Sequence, residues 1–148
     1  MAATLQEILL APDTQPRVID DCYSLLEQEI ADKSGISGTA VKLAYKTVNA
    51  VLPGHIRIMI GKLLPDMTGK LEPYWTDFTT SGSGEFGDYL SKRGEEVAQS
   101  LLEVTDERAR RSGRAVVVKA YNSVRDSGAR HVEAALPRVG ALVHKYAG

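Results

Sequence analysis

The chain has 148 residues, of which 43% are hydrophobic and 25% are charged, and its net charge is −1. These totals are ordinary for one globular domain and argue against a role dominated by polyanion binding. No apolar run reaches about 18 residues, so we expect no membrane span. Cys22 is the only cysteine. A single cysteine excludes an internal disulfide. Together with an N-terminus unlike a secretory signal, it favours a reducing, cytoplasmic setting.

The first two helix starts are marked by capping residues. Thr4 and Glu7 have the spacing of a capping box, which predicts a short helix at about 4–10. A second start at 13–16 predicts a helix that ends near Lys33. Its apolar face comprises Val18, Cys22, Leu25, Leu26 and Ile30, and we expect the acidic residues on its other faces: Asp20, Asp21, Glu27 and Glu29.

Two more helices are predicted before residue 80. Ser37 is suited to cap the first of them, which Pro53 ends. Its apolar stripe comprises Val41, Ala44, Tyr45, Val48, Val51 and Leu52. The next stripe starts at Ile56 and continues past Pro65, which either kinks that helix or begins another. The stretch 79–84 is rich in Thr, Ser and Gly, which is typical of a linker.

The apolar pattern restarts after this linker. An entry turn at 86–90 precedes an amphipathic helix that we expect to end near Arg111. Residues 112–113 lead into a further helix, which Ser127 and Gly128 break. One more amphipathic helix completes the chain. Like Pro65, Pro137 either kinks its helix or begins a new one.

The two halves of the chain resemble each other. At a constant offset of 76, positions 24–57 have nine identities in the second half, including Tyr45 with Tyr121 and His55 with His131. Shared helical patterning accounts for matches among Leu, Val and Ala, but not for the tyrosine and histidine pairs together. We therefore predict an internal duplication, in which two amphipathic units bury their apolar faces against each other. The alternative is a plain bundle whose helices look alike because all amphipathic helices do.

The predicted fold is all-α, a helical bundle of six to eight helices in one domain. The first repeat covers about 13–80, the linker 79–84 and the second repeat about 85–148, with a pseudo-twofold axis between the repeats. A solenoid array is disfavoured, because two repeats would leave most stacking faces bare.

The paired tyrosines and histidines form the first candidate site. A twofold axis would let His55 and His131 face one another or flank one cavity, which would suit haem iron or a small apolar ligand bound with Tyr45 and Tyr121. The simpler interpretation gives the histidines local hydrogen bonds and places the tyrosines in the core. The sequence has no zinc-type ligand spacing, and we expect neither a metal nor a resident cofactor.

Tyr74 and Trp75 are a candidate partner surface. Because they are adjacent on a helix, at least one of them is expected to lean outward, where it would anchor a partner. The alternative places Trp75 in the core.

A basic cluster is the third candidate. Its arginines are Arg108, Arg110, Arg111 and Arg114. Guanidinium groups match phosphate geometry, which keeps contact with RNA or DNA open. Asp106 and Glu107 precede the cluster, so a solvated helix end is the simpler interpretation.

Two segments, Asp32–Lys46 and Leu71–Trp75, resemble a family of small, all-helical proteins of actinomycetes. The resemblance extends over nearly the whole chain. It implies an all-helical fold and a bacterial cytoplasmic origin, and it implies no activity, because none is attached to that family.

No catalytic set, phosphate-binding loop or dinucleotide fingerprint occurs in the sequence. We therefore expect a non-enzymatic cytoplasmic module that binds a protein partner or itself as a homodimer, with no membrane partner. The first alternative is a carrier of a small apolar ligand or haem between the repeats. The second, less favoured, is weak nucleic-acid binding through the cluster at 108–114.

Overall fold

The computed structural model describes residues 3–82 and 84–148. Within these residues it contains eight α-helices, one 3₁₀ turn and no strand, which confirms the predicted all-α fold. The helices are α1 (Leu5–Leu9), α2 (Gln15–Asp32), α3 (Gly35–Val51), α4 (His55–Ser81), α5 (Phe86–Ser91), α6 (Gly94–Arg111), α7 (Ala115–Val124) and α8 (Gly128–Ala147), and the 3₁₀ turn Arg125–Ser127 joins α7 to α8.

Helix α1 begins with the predicted capping box. The Thr4 hydroxyl accepts a hydrogen bond from the Glu7 amide at 3.1 Å, and the Glu7 carboxylate accepts from the Thr4 amide. The carboxylate of Glu72 on α4 also accepts from the amides of Leu5 and Gln6, at 2.9 and 3.3 Å. A helix of five residues is too short to persist alone, so these contacts with α4 hold α1 in place.

Helix α3 begins earlier than predicted. Ser34, not Ser37, is its N-cap residue. Gly35 at its start has a left-handed φ of 74°, and Gly54, just beyond its end, has a φ of 79°. Only glycine adopts this backbone without strain, so a glycine in this conformation bounds α3 on each side.

None of the three helix-interior prolines starts a new helix. Pro65 and Pro73 both lie inside α4, and Pro137 lies inside α8. An interior proline costs about 3 kcal/mol in an isolated helix. Packing of an apolar face supplies most helical stability in a folded protein, and buried residues such as Leu71 and Trp75 continue beyond the first proline of α4.

The predicted linker is shorter than expected. Helix α4 extends through Ser81, so its last three residues occupy the first part of the predicted 79–84 linker. Their hydroxyls donate to carbonyl oxygens one turn back along the helix. These polar side chains are therefore accommodated in the last turn of the helix. Ser83 lies outside the described residues.

The main core lies between the two halves. Its buried residues come from α1, α2, α4, α5, α6 and α8. Trp75 and Phe86 pack edge to face at its centre, with ring centroids 5.0 Å apart. Helices α3 and α7 contribute nothing to this cluster and pack mainly on each other. Val51 of α3, which the sequence assigns to a buried stripe, is 56% exposed.

The two halves share an order of helices, a short one followed by three longer ones. Their contacts also correspond: α1 packs on α4 as α5 packs on α8, and α4 packs on α6 as α8 packs on α2. Tyr74 of α4 donates to Glu96 of α6 at 2.7 Å, and Tyr146 of α8 donates to Asp21 of α2 at 2.5 Å. This correspondence agrees with an internal duplication, which stays a prediction because corresponding contacts are not a superposition of the halves.

Candidate functional site: a cavity between the halves

A cavity of about 410 Å³ lies between the two halves. Its walls come from α2 and α4 of the first half and from α6 and α8 of the second, and Leu9 of α1 and Val41 of α3 add to them. Most of the lining consists of Leu, Val and Ile side chains with Met67, and the other lining residues are Cys22, Glu29, Lys33, Thr68, Thr105, His131 and Ala135. Sites for small molecules are mostly apolar and have volumes of about 300–1,000 Å³. The cavity therefore has the size and the chemistry of a ligand site.

The two charged side chains and the imidazole of the lining lie where the cavity adjoins a surface groove. Glu29, Lys33 and His131 line both the cavity and an adjoining surface groove, which Arg138 also lines. The cavity meets the surface at these residues. We call the four of them the mouth.

Glu29 is the most buried charged group of the mouth, with 8% of its surface exposed. Lys33 Nζ donates to its Oε1 at 3.2 Å, and Arg138 Nη1 donates to its Oε2. A buried carboxylate without such partners would be strongly destabilising. The expectation that Glu29 lies on an outer face is wrong. It follows Leu25 by four residues on the apolar side of α2, and a carboxylate at that position of an apolar stripe is the signal that would have identified it.

His131 is the one predicted ligand residue that lines the cavity. Its Nε2 is buried and has no hydrogen-bond partner among the described residues. Burial lowers the pKa of His131, and the charges of Lys33 and Arg130 lower it further. The imidazole is therefore neutral at pH 7, where Nε2 is able to make one hydrogen bond to a polar atom of a ligand.

His55 does not share this cavity. It follows the C-terminal end of α3, whereas His131 lies beside Lys33 at the N-terminal end. Helix α3 has 17 residues, about 25 Å of helix. The two histidines therefore do not face one another as the sequence hypothesis supposes, and they are too far apart to bind one iron. Burial, and then the charge of Arg114, lower the pKa of His55.

The paired tyrosines also lie outside the cavity lining. Tyr45 donates to the Tyr23 hydroxyl of α2 at 3.3 Å. Tyr121 donates to Asp106 Oδ1 of α6 at 2.5 Å. Each phenol thus joins its helix to the long helix before it, but neither tyrosine belongs to the main core, where the simpler interpretation of the sequence places them.

Cys22 lines the cavity wall on α2. Burial raises the pKa of its thiol to about 11. The thiol is therefore protonated at neutral pH, whereas nucleophilic attack requires the thiolate. Across residues 3–82 and 84–148, no group of three or more His, Cys, Asp or Glu side chains is placed to hold a metal ion.

The two predicted contact surfaces have other roles. Trp75 is only 7% exposed, so its interpretation as an exposed anchor is wrong and it belongs to the core. Tyr74 is half-buried, with its hydroxyl bonded to Glu96.

The arginine cluster occupies the end of α6 and the segment before α7. Arg110 and Arg111 both pair with Glu107, at 2.6 and 2.9 Å. Arg108 lines a separate surface groove, and Arg114 is exposed. Two of the four guanidinium groups are thus paired within their own helix, which agrees with the simpler interpretation of the cluster as a solvated helix end.

Comparison with known proteins identifies a family and no activity. No curated protein matches the chain, and no solved structure matches it. The profile of a family of unknown function, DUF6918, matches residues 5–147. Because the match covers almost the whole chain, the protein belongs to the family of unknown function DUF6918.

Proposed function

We propose that the protein is a non-enzymatic carrier, which binds one small and largely apolar molecule in the cavity between its halves. The observation that supports it is the cavity itself, about 410 Å³ of space with apolar walls from both halves. Water in such a space finds few hydrogen-bond partners, so apolar cavities stay dry and take up apolar molecules. The proposed site lies between the repeats, where the sequence hypothesis also places a ligand. Of the four residues suggested by the sequence, His131 alone lines it.

The mouth suggests what the polar end of the ligand would be. The carboxylates of Glu29 and Asp32 balance the charges of Lys33 and Arg138, with which they are bonded. A charged ligand group would have to displace one of these partners, which is costly in a buried place. We therefore propose a neutral ligand, with a hydroxyl or carbonyl group that bonds to His131 Nε2.

Haem is less well supported than an apolar ligand, because His55 and His131 lie at opposite ends of α3. A non-enzymatic role is proposed because the thiol of Cys22 in the cavity is protonated. We also propose a cytoplasmic setting, which the single unpaired cysteine supports.

The sequence interpretation as a protein-binding module has lost its specific anchor, since Trp75 is buried. Binding of nucleic acid through the arginine cluster is weakened in the same way, because Arg110 and Arg111 are paired with Glu107. Of these three candidate sites, the cavity best matches the needs of a stated class of ligand.

A fluorescent apolar probe tests the proposal. N-phenyl-1-naphthylamine should bind the wild-type protein with a rise in fluorescence. Ala135→Phe, which places a ring in the cavity wall, should weaken binding at least tenfold. Ala141→Phe is the matched control, because Ala141 lies on the same helix but is exposed, and its affinity should equal that of the wild type. Equal affinity of the two variants would overturn the proposal.

Cys22 gives a second readout that needs no variant. A saturating concentration of the same probe should slow alkylation of the thiol by N-ethylmaleimide, because Cys22 lines the cavity. An unchanged rate at saturation would place the probe elsewhere and would contradict the proposed site. Circular dichroism of Ala135→Phe would confirm that any lost binding is not lost folding.

A further inference from the structure

The outer face of α3 is apolar, and no described residue covers it. Ile36 is 93% exposed and Leu43 is 65% exposed. They are seven residues apart and therefore lie on the same face of the helix, next to the exposed Val51. Ile58, in the first turns of α4, is also exposed by 56%. Exposed aliphatic side chains that share one face mark a contact surface, unlike apolar residues scattered singly.

The region around this face is basic. The sequence contains no Asp or Glu in 33–65 or in 108–125. The only charged residues of the paired helices α3 and α7 are Lys42, Lys46 and Lys119. None of these lysines makes an ion pair with a described residue. Their charge is therefore available to a partner.

A basic side chain lies beside the exposed apolar stripe of the helix. The exposed Lys46 follows Leu43 by three residues, so it flanks the apolar stripe. Val41 lies two residues before Leu43, about 200° around the helix, and lines the cavity. Helix α3 thus has one apolar side toward the cavity and another toward the exterior, and a single helix separates the two.

We propose that the outer face of α3 docks on the surface of an anionic lipid bilayer. We define this docking face as Ile36, Leu43 and Val51 with Lys42 and Lys46. Its aliphatic side chains would enter the boundary between headgroups and acyl chains, and its lysines would contact the anionic headgroups. No described helix is long and apolar enough to cross a membrane, and the proposed contact is with the bilayer surface.

Charge and side-chain type favour a bilayer over the other occupants. A second copy would bring the same positive charge against the face, which disfavours docking. Single-stranded nucleic acid is held by aromatic stacking as well as charge, and the exposed side chains of this face are aliphatic. A bilayer offers negative charge and an apolar layer together. The proposal revises the expectation of no membrane partner and stands independently of any ligand in the cavity.

Co-sedimentation with lipid vesicles tests the proposal. The wild-type protein should bind vesicles of phosphatidylcholine and phosphatidylglycerol in equal parts at least tenfold more tightly than vesicles of phosphatidylcholine alone. The double variant Ile36→Ser with Leu43→Ser should lose at least tenfold of this affinity. Because both side chains are exposed, the variant should fold normally. Its binding of N-phenyl-1-naphthylamine should be unchanged, which separates this test from that of the cavity.

A charge-matched control distinguishes binding through this face from general electrostatic attraction between the protein and anionic vesicles. Lys42→Glu with Lys46→Glu should abolish the preference for anionic vesicles. Lys92→Glu with Arg130→Glu makes the same change in net charge at exposed positions elsewhere and should retain most of the binding. Each of three results would overturn the proposal. The first is no preference for anionic vesicles, and the second is an equal loss of binding in both charge variants. The third is that the serine variant loses binding to RNA or to a second copy of the protein but keeps its binding to vesicles.

Discussion

The short helix of each half docks on the last helix of that half, yet the two junctions use different chemistry. At the α1–α4 junction, the carboxylate of Glu72 accepts hydrogen bonds from the first amides of α1. At the α5–α8 junction, two backbones touch: a Cβ added to Gly140 would lie 2.2 Å from the Cα of Gly87. Corresponding junctions are thus held by a polar cap in one half and by glycine contact in the other.

The comparison explains why the halves resemble each other only in part. The fold constrains where the short helix lies on the last helix of its half. Several kinds of side chain are able to hold it in that position. The residues that hold α1 therefore need not resemble those that hold α5. The apolar stripes must keep their spacing in both halves, because those of α2, α4, α6 and α8 face the shared core and those of α3 and α7 pack on each other.

The largest effect is expected from a methyl group at the glycine contact. Gly140→Ala would place a Cβ inside the backbone of α5 and should destabilise the protein by about 3 kcal/mol or more, since backbone is unable to yield as a side chain does. Gly69→Ala on α4 is the counterpart: its Cβ would lie 3.4 Å from the flexible Gln6 side chain. It should be neutral or stabilise by up to about 1 kcal/mol. Urea unfolding measures both, and equal effects would refute the contrast between the junctions.

An intermediate effect is expected at the polar junction. Glu72→Ala should lower the free energy of unfolding by about 1–2 kcal/mol, because it leaves two amides of α1 without a partner. Hydrogen exchange at Leu5 and Gln6 should quicken at the same time. Glu103→Ala is the control, since it breaks only an exposed ion pair with Lys70 and should cost at most about 1 kcal/mol. Unchanged exchange in Glu72→Ala would show that burial alone holds α1.

The smallest effects separate the paired tyrosines. Tyr121→Phe should cost about 1 kcal/mol, because the phenol donates to a carboxylate. Tyr45→Phe should cost about 0.5 kcal/mol or less, because its partner is another phenol at 3.3 Å. Similar losses, measured by urea unfolding at neutral pH, would contradict this difference.

The same pair differs in its response to acid. Hydrogen bonds from Arg125, opposed by burial and aided by Tyr121, hold the pKa of Asp106 below its ordinary value of 3.8. The stability that this carboxylate contributes is therefore complete above that value and is lost as the pH falls through the lowered pKa. The deficit of Tyr121→Phe should shrink in strong acid, and that of Tyr45→Phe should not. A constant deficit in both would exclude Asp106 as the source.

Local features of the fold followed from the sequence, whereas features that depend on several helices did not. The capping box of Thr4 and Glu7 was predictable, because both partners lie within one turn. The continuity of α4 across Pro65 was not, because apolar spacing is the same on either side whether the helix continues or restarts.

The candidate site was predictable only in its place between the repeats. The sequence indicates His131 through its pairing with His55, and His131 lines the cavity without that partner. Arg138 is not identifiable from the sequence, because its partner Glu29 lies more than a hundred positions away. A cavity is a gap left by four helices, and no single periodicity encodes it.

The origin of the cavity walls has a consequence for how such a site would arise. Each half supplies two of the four long walls, so one half alone would leave its apolar side open to water. If the halves descend from one duplicated unit, the ancestral chain formed this space only when two copies paired. Any binding of a ligand in this space would then have fallen with dilution of the protein, and fusion of the copies into one polypeptide would have removed that dependence.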